Sequence, residues 1–196
     1  MRQRRQSVGI FSRHRGKVLA LSAHHRFPTR GKHKAAVNAM ISTPPSPSVR
    51  MWRDLHEPCS AAVWPVGVQL QDFTSRHAAE VHELLAIAYR HGGGVVPALD
   101  IWWPALTSDP EFDQKLVLIA CDRTANIVGV AQSWKGAFVK DLAVAPDWRC
   151  RGLGRALLLQ TFHVFRQRGA LAVHLKVHAD NAAAMRLYSA LGMRRV

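Results

Sequence analysis

The stretch that most constrains this chain is residues 138–156, FVKDLAVAPDWRCRGLGRA. It predicts an apolar strand over 138–145, a turn at Pro146 and Asp147, and a glycine-bearing loop that opens into a helix. The first N–H groups of a helix have no acceptor within the helix, and the aligned peptide dipoles place partial positive charge there. The pattern therefore predicts an anion site at the start of this helix.

The loop residues suit a phosphate ligand. Gly152 and Gly154 carry no Cβ, so the backbone can approach the ligand closely. Arg149, Arg151 and Arg155 add positive charge, and a guanidinium can grip two phosphate oxygens at once. The plain alternative is an ordinary strand-to-helix connection with solvated arginines.

Two common phosphate-binding motifs are excluded. A nucleotide P-loop ends in Gly-Lys-Ser/Thr, whereas Arg155 and Ala156 stand in those last two places. A dinucleotide fingerprint needs a third glycine and an acid about twenty residues later. Leu157 replaces that glycine, and His174 and Lys176 lie where the acid would be.

The spacing of Arg149, Gly152 and Gly154 after an apolar strand resembles the acetyl-CoA signature of the GNAT superfamily of N-acetyltransferases, Arg/Gln-x-x-Gly-x-Gly/Ala. A second signature of that family follows at residues 181–193, NAAAMRLYSALGM, with the expected strand and helix between the two. The resemblance covers residues 66–193, about two thirds of the chain. We therefore identify residues 66–196 as a GNAT-like N-acetyltransferase domain.

The resemblance implies the fold class: α/β (α+β), with helices on both faces of a mixed, mostly antiparallel sheet. In this family the fourth and fifth strands are parallel and splay apart, and the pantetheine arm of CoA lies in the gap. Carried over, those strands are residues 138–145 and 171–179. Relatives normally end in a further hairpin, whereas this sequence stops at Val196, so we expect the C-terminal hairpin to be missing or truncated.

Periodicity predicts the remaining elements independently of the family. It indicates strands over residues 66–73, 115–121 and 127–134, a helix capped by Ser75, and a helix over 152–168. Short connections between the second, third and signature strands predict an antiparallel meander. A strand that follows a crossover helix should run parallel to the one before it.

Positive charge is concentrated at the start of the chain. Residues 1–60 hold 12 Lys or Arg against 2 Asp or Glu, a net of +10 out of the total +14. Residues 1–65 show no regular periodicity, and we predict that they lie outside the domain. Three interpretations stay open: a disordered basic tail that meets nucleic acid or an anionic surface, a transit peptide, or an extension upstream of a true start at Met40 or Met51.

Cysteine usage and hydropathy bound the remaining possibilities. Cys59, Cys121 and Cys150 are widely spaced and form no C-x-x-C pair, which argues against a disulfide framework and a zinc site. The sequence holds no run of about eighteen apolar residues and no secretory signal. We expect a cytoplasmic protein without metal or membrane partner, as a monomer or homodimer.

By resemblance, acetyl-CoA is held by three groups of residues. The backbone of the signature strand holds pantetheine and polarises the thioester carbonyl, the loop holds the pyrophosphate, and an asparagine either caps the last helix or bonds the CoA arm. The corresponding residues are Leu142, Ala143, Val144, Arg149, Cys150, Arg151, Gly152, Leu153, Gly154, Arg155, Ala156 and Asn181.

Two residues are candidates for the chemistry. Tyr188 matches the tyrosine that relatives use as general acid at the CoA sulfur, although it also belongs to a helical apolar stripe and can be core. Asp141 is the only acid in the two splayed strands. It can act on the acceptor through water, orient a cationic amine, or be a structural acid paired with Lys140 or Lys176.

The resemblance implies direct transfer of an acetyl group from acetyl-CoA to the primary amine of a small molecule or peptide, in a ternary complex. The alternatives are a CoA-binding regulator without turnover and a basic nucleic-acid-binding protein. We expect a small cationic amine as acceptor because four acids cluster beside Trp102 and Trp103 in the segment that walls the acceptor side in relatives. The acids are Asp100, Asp109, Glu111 and Asp113.

Overall fold

The computed structural model describes residues 47–90 and 95–196. Within those ranges it contains seven strands and four α-helices. The strands are β1 (Ser48–Asp54), β2 (Gln69–Asp72), β3 (Phe112–Cys121), β4 (Ile127–Trp134), β5 (Phe138–Val144), β6 (Ala172–His178) and β7 (Arg194–Arg195). The helices are α1 (Ala78–Tyr89), α2 (Leu99–Thr107), α3 (Leu153–Gln167) and α4 (Ala182–Ala190).

The strands form one sheet in the order β2-β3-β4-β5-β6-β1-β7. Every neighbouring pair is antiparallel except β5 and β6, which are parallel. The predicted meander and the predicted parallel pair are both present, so the expected mixed, mostly antiparallel fold class is confirmed.

Helices cover both faces of the sheet. On one face, side chains of α1 and α2 such as Val81, Leu85 and Trp102 pack against β3, β4 and β5. On the other face, α3 and α4 pack against β5, β6 and β1, with Phe162 0% and Phe165 1% exposed. Burying one such large apolar side chain contributes about 1.5–3 kcal/mol, so α3 is a principal source of core stability.

The domain begins earlier in the chain than the composition predicts. β1 pairs antiparallel with β6 from Ser48 opposite His178 to Asp54 opposite Ala172, and Met51 is 1% exposed in the core. The expectation that residues 1–65 lie outside the domain is therefore wrong for residues 47–65. The prediction was wrong because it relied on the charge and composition of this segment. The segment also has a period-two alternation, in which Val49, Met51 and Arg53 face inward. Residues 1–46 lie outside the described part of the chain, and the three interpretations of them stay predictions.

β1 also takes the sheet position beside β6. After α4 the described chain forms only the two-residue strand β7, which pairs with β1 rather than with a second C-terminal strand. An unpaired β6 would expose a row of free backbone groups, a template for aggregation. Pairing with β1 removes that edge.

Arg53 fastens β1 to α4. Its guanidinium is buried and donates hydrogen bonds to the carbonyl of Leu191, at the C-terminus of α4, and to that of Pro58 at 3.0 Å. It also lies 5.7 Å from the ring centroid of Phe162 in α3. Helix C-termini carry partial negative charge, so a cation is favourable there.

We predict that Arg53→Ala lowers the free energy of unfolding by about 2–3 kcal/mol, because it leaves buried carbonyls without a charged donor. Urea unfolding followed by tryptophan fluorescence measures the change. The matched control is Arg50→Ala, on the same strand but exposed, which should stay within about 0.5 kcal/mol of the parent or exceed it. Equal losses in both variants would contradict the fastening role of Arg53.

Candidate functional site

The site is a cleft where two parallel strands separate. β5 and β6 pair only at Phe138 opposite His174 and Val139 opposite Leu175. Beyond these pairs the strands diverge, and a cleft of about 1160 Å³ opens between them. The backbone of Leu142, Ala143 and Val144 lines one side, so the structure places these three predicted residues in the cleft.

The glycine-bearing loop closes one end of this cleft. Gly152 lies at φ 85°, in the left-handed region that favours glycine, and a Cβ added there would meet nothing within 4 Å. The first hydrogen bond of α3 runs from the N–H of Ala156 to the carbonyl of Gly152 at 3.0 Å. The N–H groups of Leu153, Gly154 and Arg155 therefore precede the helical ladder and have no acceptor within the helix. Those three residues also line the cleft.

The other predicted loop residues divide into two sets. Arg149 and Cys150 line the cleft, and the Nε of Arg149 donates to the carbonyl of Val144 at 3.3 Å. Arg151 instead lies over the ring of Trp148, 5.2 Å from its centroid. Ala156 is 1% exposed in the core beneath the loop. The structure therefore brings Arg149 to the cleft and directs Arg151 and Ala156 elsewhere.

Asn181 caps α4 at the opposite side of the cleft. Its Oδ1 accepts a hydrogen bond from the N–H of Ala184 at 3.0 Å, as an N-cap residue does. Asn181 also lines the cleft. The structure thus shows its capping role, and its bond to the CoA arm stays a prediction.

Tyr188 lies on α4, on the α3 and α4 face of the gap. It is 8% exposed, belongs to the core cluster and also lines the cleft. Burial raises the pKa of Tyr188 to about 12. Tyr188 can therefore be both a core residue and a residue of the site.

A bulge at Lys140 places Asp141 on the opposite face of the sheet. Gln132 of β4 pairs with Asp141 but the next residue, Ser133, pairs with Val139, so Lys140 is an extra residue in β5. Before the bulge, Val139 packs in the cluster with α3 and α4. After it, the Asp141 side chain points toward α1.

Two side chains hold the Asp141 carboxylate, which is 8% exposed. The hydroxyl of Tyr89 in α1 donates to Oδ1 at 2.7 Å, and the Nζ of Lys140 lies 2.6 Å from Oδ2. Of the two expected ion-pair partners, Lys140 is therefore the one that contacts Asp141. The result is a fixed carboxylate at the edge of the cleft.

Tyr89 is the residue that sequence reasoning missed. Burial, followed by the charge of Asp141 and the hydrogen bond to it, raises the pKa of Tyr89 well above its usual range. One signal was present: Tyr89 and Tyr188 are the only tyrosines in the chain, and both line this cleft. Tyr89 also continues the apolar stripe of α1, which predicts a core position and masks its hydroxyl.

The expected acid cluster does not form a wall of the cleft. Asp109 accepts the N–H of Glu111 at 2.8 Å, and Glu111 accepts the N–H of Gly136 at 2.7 Å. Asp113 pairs with Arg168 at 2.7 Å, and Asp100 lines a separate groove between α1 and α2. The expectation that these carboxylates wall the cleft is wrong, because none of the four lines it and three of them stabilise turns or an ion pair. Their attraction of a cationic acceptor stays a prediction.

Residues 47–90 and 95–196 hold no group of three or more His, Cys, Asp or Glu placed to bind a metal ion. None of their helices is both long and apolar enough to cross a bilayer.

The fold and the cleft define the class of this protein. The sequence model of the acetyltransferase (GNAT) family matches residues 78–193. The chain therefore belongs to the acetyltransferase (GNAT) family, and the resemblance found in its two signatures is confirmed.

Individual relatives agree with this assignment. The chain is 34% identical over 137 residues to a mycothiol acetyltransferase of Clavibacter michiganensis, covering 66% of this chain and 44% of the relative. It is 40% identical over 77 residues to the ribosomal protein bS18 alanine N-acetyltransferase of Salmonella typhimurium, covering 39% and 52%.

Solved structures show the same fold. A GCN5-related N-acetyltransferase from Sphaerobacter thermophilus superposes with a TM-score of 0.68 at 27% identity, covering 78% of this chain and 49% of that one. The chain thus spans about half the length of each of these three relatives.

We predict that neither tyrosine ionises near pH 10 in the folded protein. Because burial raises the pKa of both hydroxyls, they stay neutral until about pH 11 or above, whereas both should ionise near pH 10 in urea. Tyrosinate absorbance at about 295 nm measures this directly, since these two residues are the only source.

The raised pKa of a buried tyrosine also determines how the stability of the fold changes with pH. Because the folded-state pKa of Tyr188 exceeds the unfolded value, its neutral form contributes stability fully below about pH 10. That contribution is lost as the pH rises toward about 12. A hydroxyl that titrates near pH 10 in the folded protein would place that tyrosine in solvent and contradict the buried site.

Proposed function

We propose that this chain is an N-acetyltransferase that binds acetyl-CoA in the β5–β6 cleft and transfers the acetyl group directly to a primary amine. The proposal rests on one observation: the cleft between β5 and β6 ends at the N-terminus of α3, which no side chain caps. The names of the two relatives above, both acetyltransferases, support the reaction class.

The loop supplies the pyrophosphate site. The N–H groups of Leu153, Gly154 and Arg155 are free of helical acceptors, and the helix dipole adds partial positive charge. Open space beside Gly152 lets a phosphate approach the backbone. Arg149 and Arg155, both lining the cleft, add charge at the same end.

The gap between the strands supplies the pantetheine site. On its β6 side, β5 has no strand partner from Lys140 onward. The backbone groups of Leu142 and Val144 are therefore available to bond the extended arm and to polarise the thioester carbonyl. Aligning thioester and amine in one cleft accelerates transfer, because positioned reactants reach effective molarities of about 10⁵ M or more.

We assign Tyr188 the role of protonating the departing thiolate. Its raised pKa keeps it neutral, and therefore able to donate, at all physiological pH values. A phenol with this pKa is a weak acid toward a solvated thiolate of pKa about 8.5. The same burial raises the basicity of a thiolate formed in the gap, which narrows the difference between the two groups.

Asp141 is placed to receive the amine. Tyr89 and Lys140 fix its two oxygens, and the gap separates it from Tyr188 on the opposite face of the sheet. We assign it the roles of orienting the acceptor ammonium and taking its proton before attack. A CoA-binding regulator would share this cleft without turnover, and thiol release from acetyl-CoA in the presence of amines separates the two functions.

We predict that Gly154→Asp weakens CoA binding at least tenfold, because a carboxylate would face the pyrophosphate. The fold should tolerate the side chain, since an added Cβ would lie 3.4 Å from Leu187 and 3.7 Å from Val144, ordinary contact distances. Calorimetry with CoA measures the affinity. Gly154→Asn has nearly the same shape without the charge and should bind CoA more tightly than the Asp variant. Equal affinity in the two variants would remove the electrostatic argument.

We predict that Tyr188→Phe lowers kcat by about 100-fold, within the usual contribution of a general acid, while the affinity for acetyl-CoA is retained. The ring still fills the core, so only the proton donor is lost. Single-turnover kinetics with acetyl-CoA and a saturating amine isolate the chemical step. An unchanged chemical rate would leave Tyr188 with a packing role alone.

A further inference from the structure

Within residues 47–90 and 95–196, helices cover the α1 side of the sheet only in part. The buried cluster beneath α1 and α2 draws its sheet residues from β3, β4 and β5. β6 and β1 place Leu175, Val177 and Met51 in the cluster on the opposite face. Because side chains alternate along a strand, the residues between them point to the α1 side.

Two cations lie side by side on this uncovered half-face. Arg50 of β1 and Lys176 of β6 are direct register partners, and both are exposed. Among the described residues neither has an ion pair. Like charges placed directly opposite each other across an antiparallel pair destabilise a sheet. The Arg50–Lys176 pair therefore lowers the stability of the sheet, and no described acidic side chain offsets this cost.

Asp141 and Lys176 face each other across the cleft. The last paired residues are Val139 and Leu175. After them the bulge places both Lys140 and Asp141 of β5 on the α1 side, where the Nζ of Lys140 lies 2.6 Å from Asp141 and 5.6 Å from the ring centroid of Trp134. Lys176 is the next residue of β6 on that side, and Asp141 and Lys176 both line the cleft. Paired strands lie about 4.8 Å apart, and here they are splaying, so the two groups are separated by more than that.

The two sides of the gap differ in charge. On the β5 side, the Asp141 carboxylate is held by Tyr89 and paired with Lys140, and it keeps further lone pairs for an ammonium. Lys176, with Arg50 one strand further out, forms a cationic side that suits a carboxylate or phosphate. The other charged side chains that line this end are Lys140, paired with Asp141, and Asp180 just beyond β6.

We propose that the acceptor is a primary amine that carries an anionic group, carboxylate or phosphate, about one strand spacing or more from its nitrogen. The amine lies at Asp141 and the anion at Lys176 and Arg50. This inference rests on the proposed transferase function and replaces the expectation of a purely cationic acceptor.

The test compares matched acceptors with and without the anion. The carboxylate pair is 4-aminobutanoate and its neutral amide, and the phosphate pair is 3-aminopropyl phosphate and 3-aminopropanol. We expect kcat/KM for at least one anionic member to exceed that of its neutral partner at least tenfold. The pair that shows the larger ratio identifies which anion is preferred.

The variant Arg50→Gln/Lys176→Gln should bring that ratio to within about twofold of one while KM for acetyl-CoA is unchanged. The control Lys115→Gln/Arg123→Gln removes the same net charge from exposed positions outside the cleft and should keep the parent ratio. It therefore separates a local contact from long-range attraction.

Three outcomes would overturn the inference. Equal kcat/KM within both pairs, or an unchanged ratio in the Arg50/Lys176 variant, would show that these cations do not select the acceptor. A matching rise in KM for acetyl-CoA would assign them to the cosubstrate. Thiol release that fails with every amine would count against the proposed function instead. Calorimetric binding of 4-aminobutanoate to the CoA complex, lost in the Arg50/Lys176 variant, would then decide the inference on its own.

Discussion

The separation of β5 from β6 is the constraint on which the site depends. Two strands that stayed paired along their whole length would satisfy each other's backbone groups and leave no room for a ligand. Here pairing stops after Val139 and Leu175, and the cleft opens toward the N-terminus of α3. The same divergence sets Tyr188 and Asp141 on opposite faces of the sheet, with the cleft between them.

The bulge at Lys140 is the second device that shapes the site. Without the extra residue, Asp141 would point into the apolar cluster beneath α3 and α4, where a carboxylate would be costly. With it, the carboxylate meets the hydroxyl of Tyr89 and the ammonium of Lys140. One inserted residue thus converts a position that would be buried in the core into one that lines the cleft.

What the sequence predicts well is what is encoded locally. The loop around Gly152 and the cap at Asn181 depend on neighbours within a few residues. Both can therefore be recognised from the spacing of residues in a single sequence. Tyr89 could not be assigned, because its role depends on a carboxylate 52 residues away. β1 was missed because its period-two alternation lies within a strongly cationic segment. The four acids were predicted to wall the cleft because composition alone does not distinguish carboxylates that stabilise turns from carboxylates that bind a ligand.

The position of β1 has a consequence for the order in which the domain assembles. β2 to β5 are close in sequence and can pair as they leave the ribosome, whereas Ser48 must wait for His178, 130 residues later, to find its partner. Such long-range pairing raises contact order and slows folding. The half of the sheet that carries Lys176 and Arg50 therefore forms after β2 to β5 have been synthesised, and a nascent chain has the signature loop before it has a complete cleft.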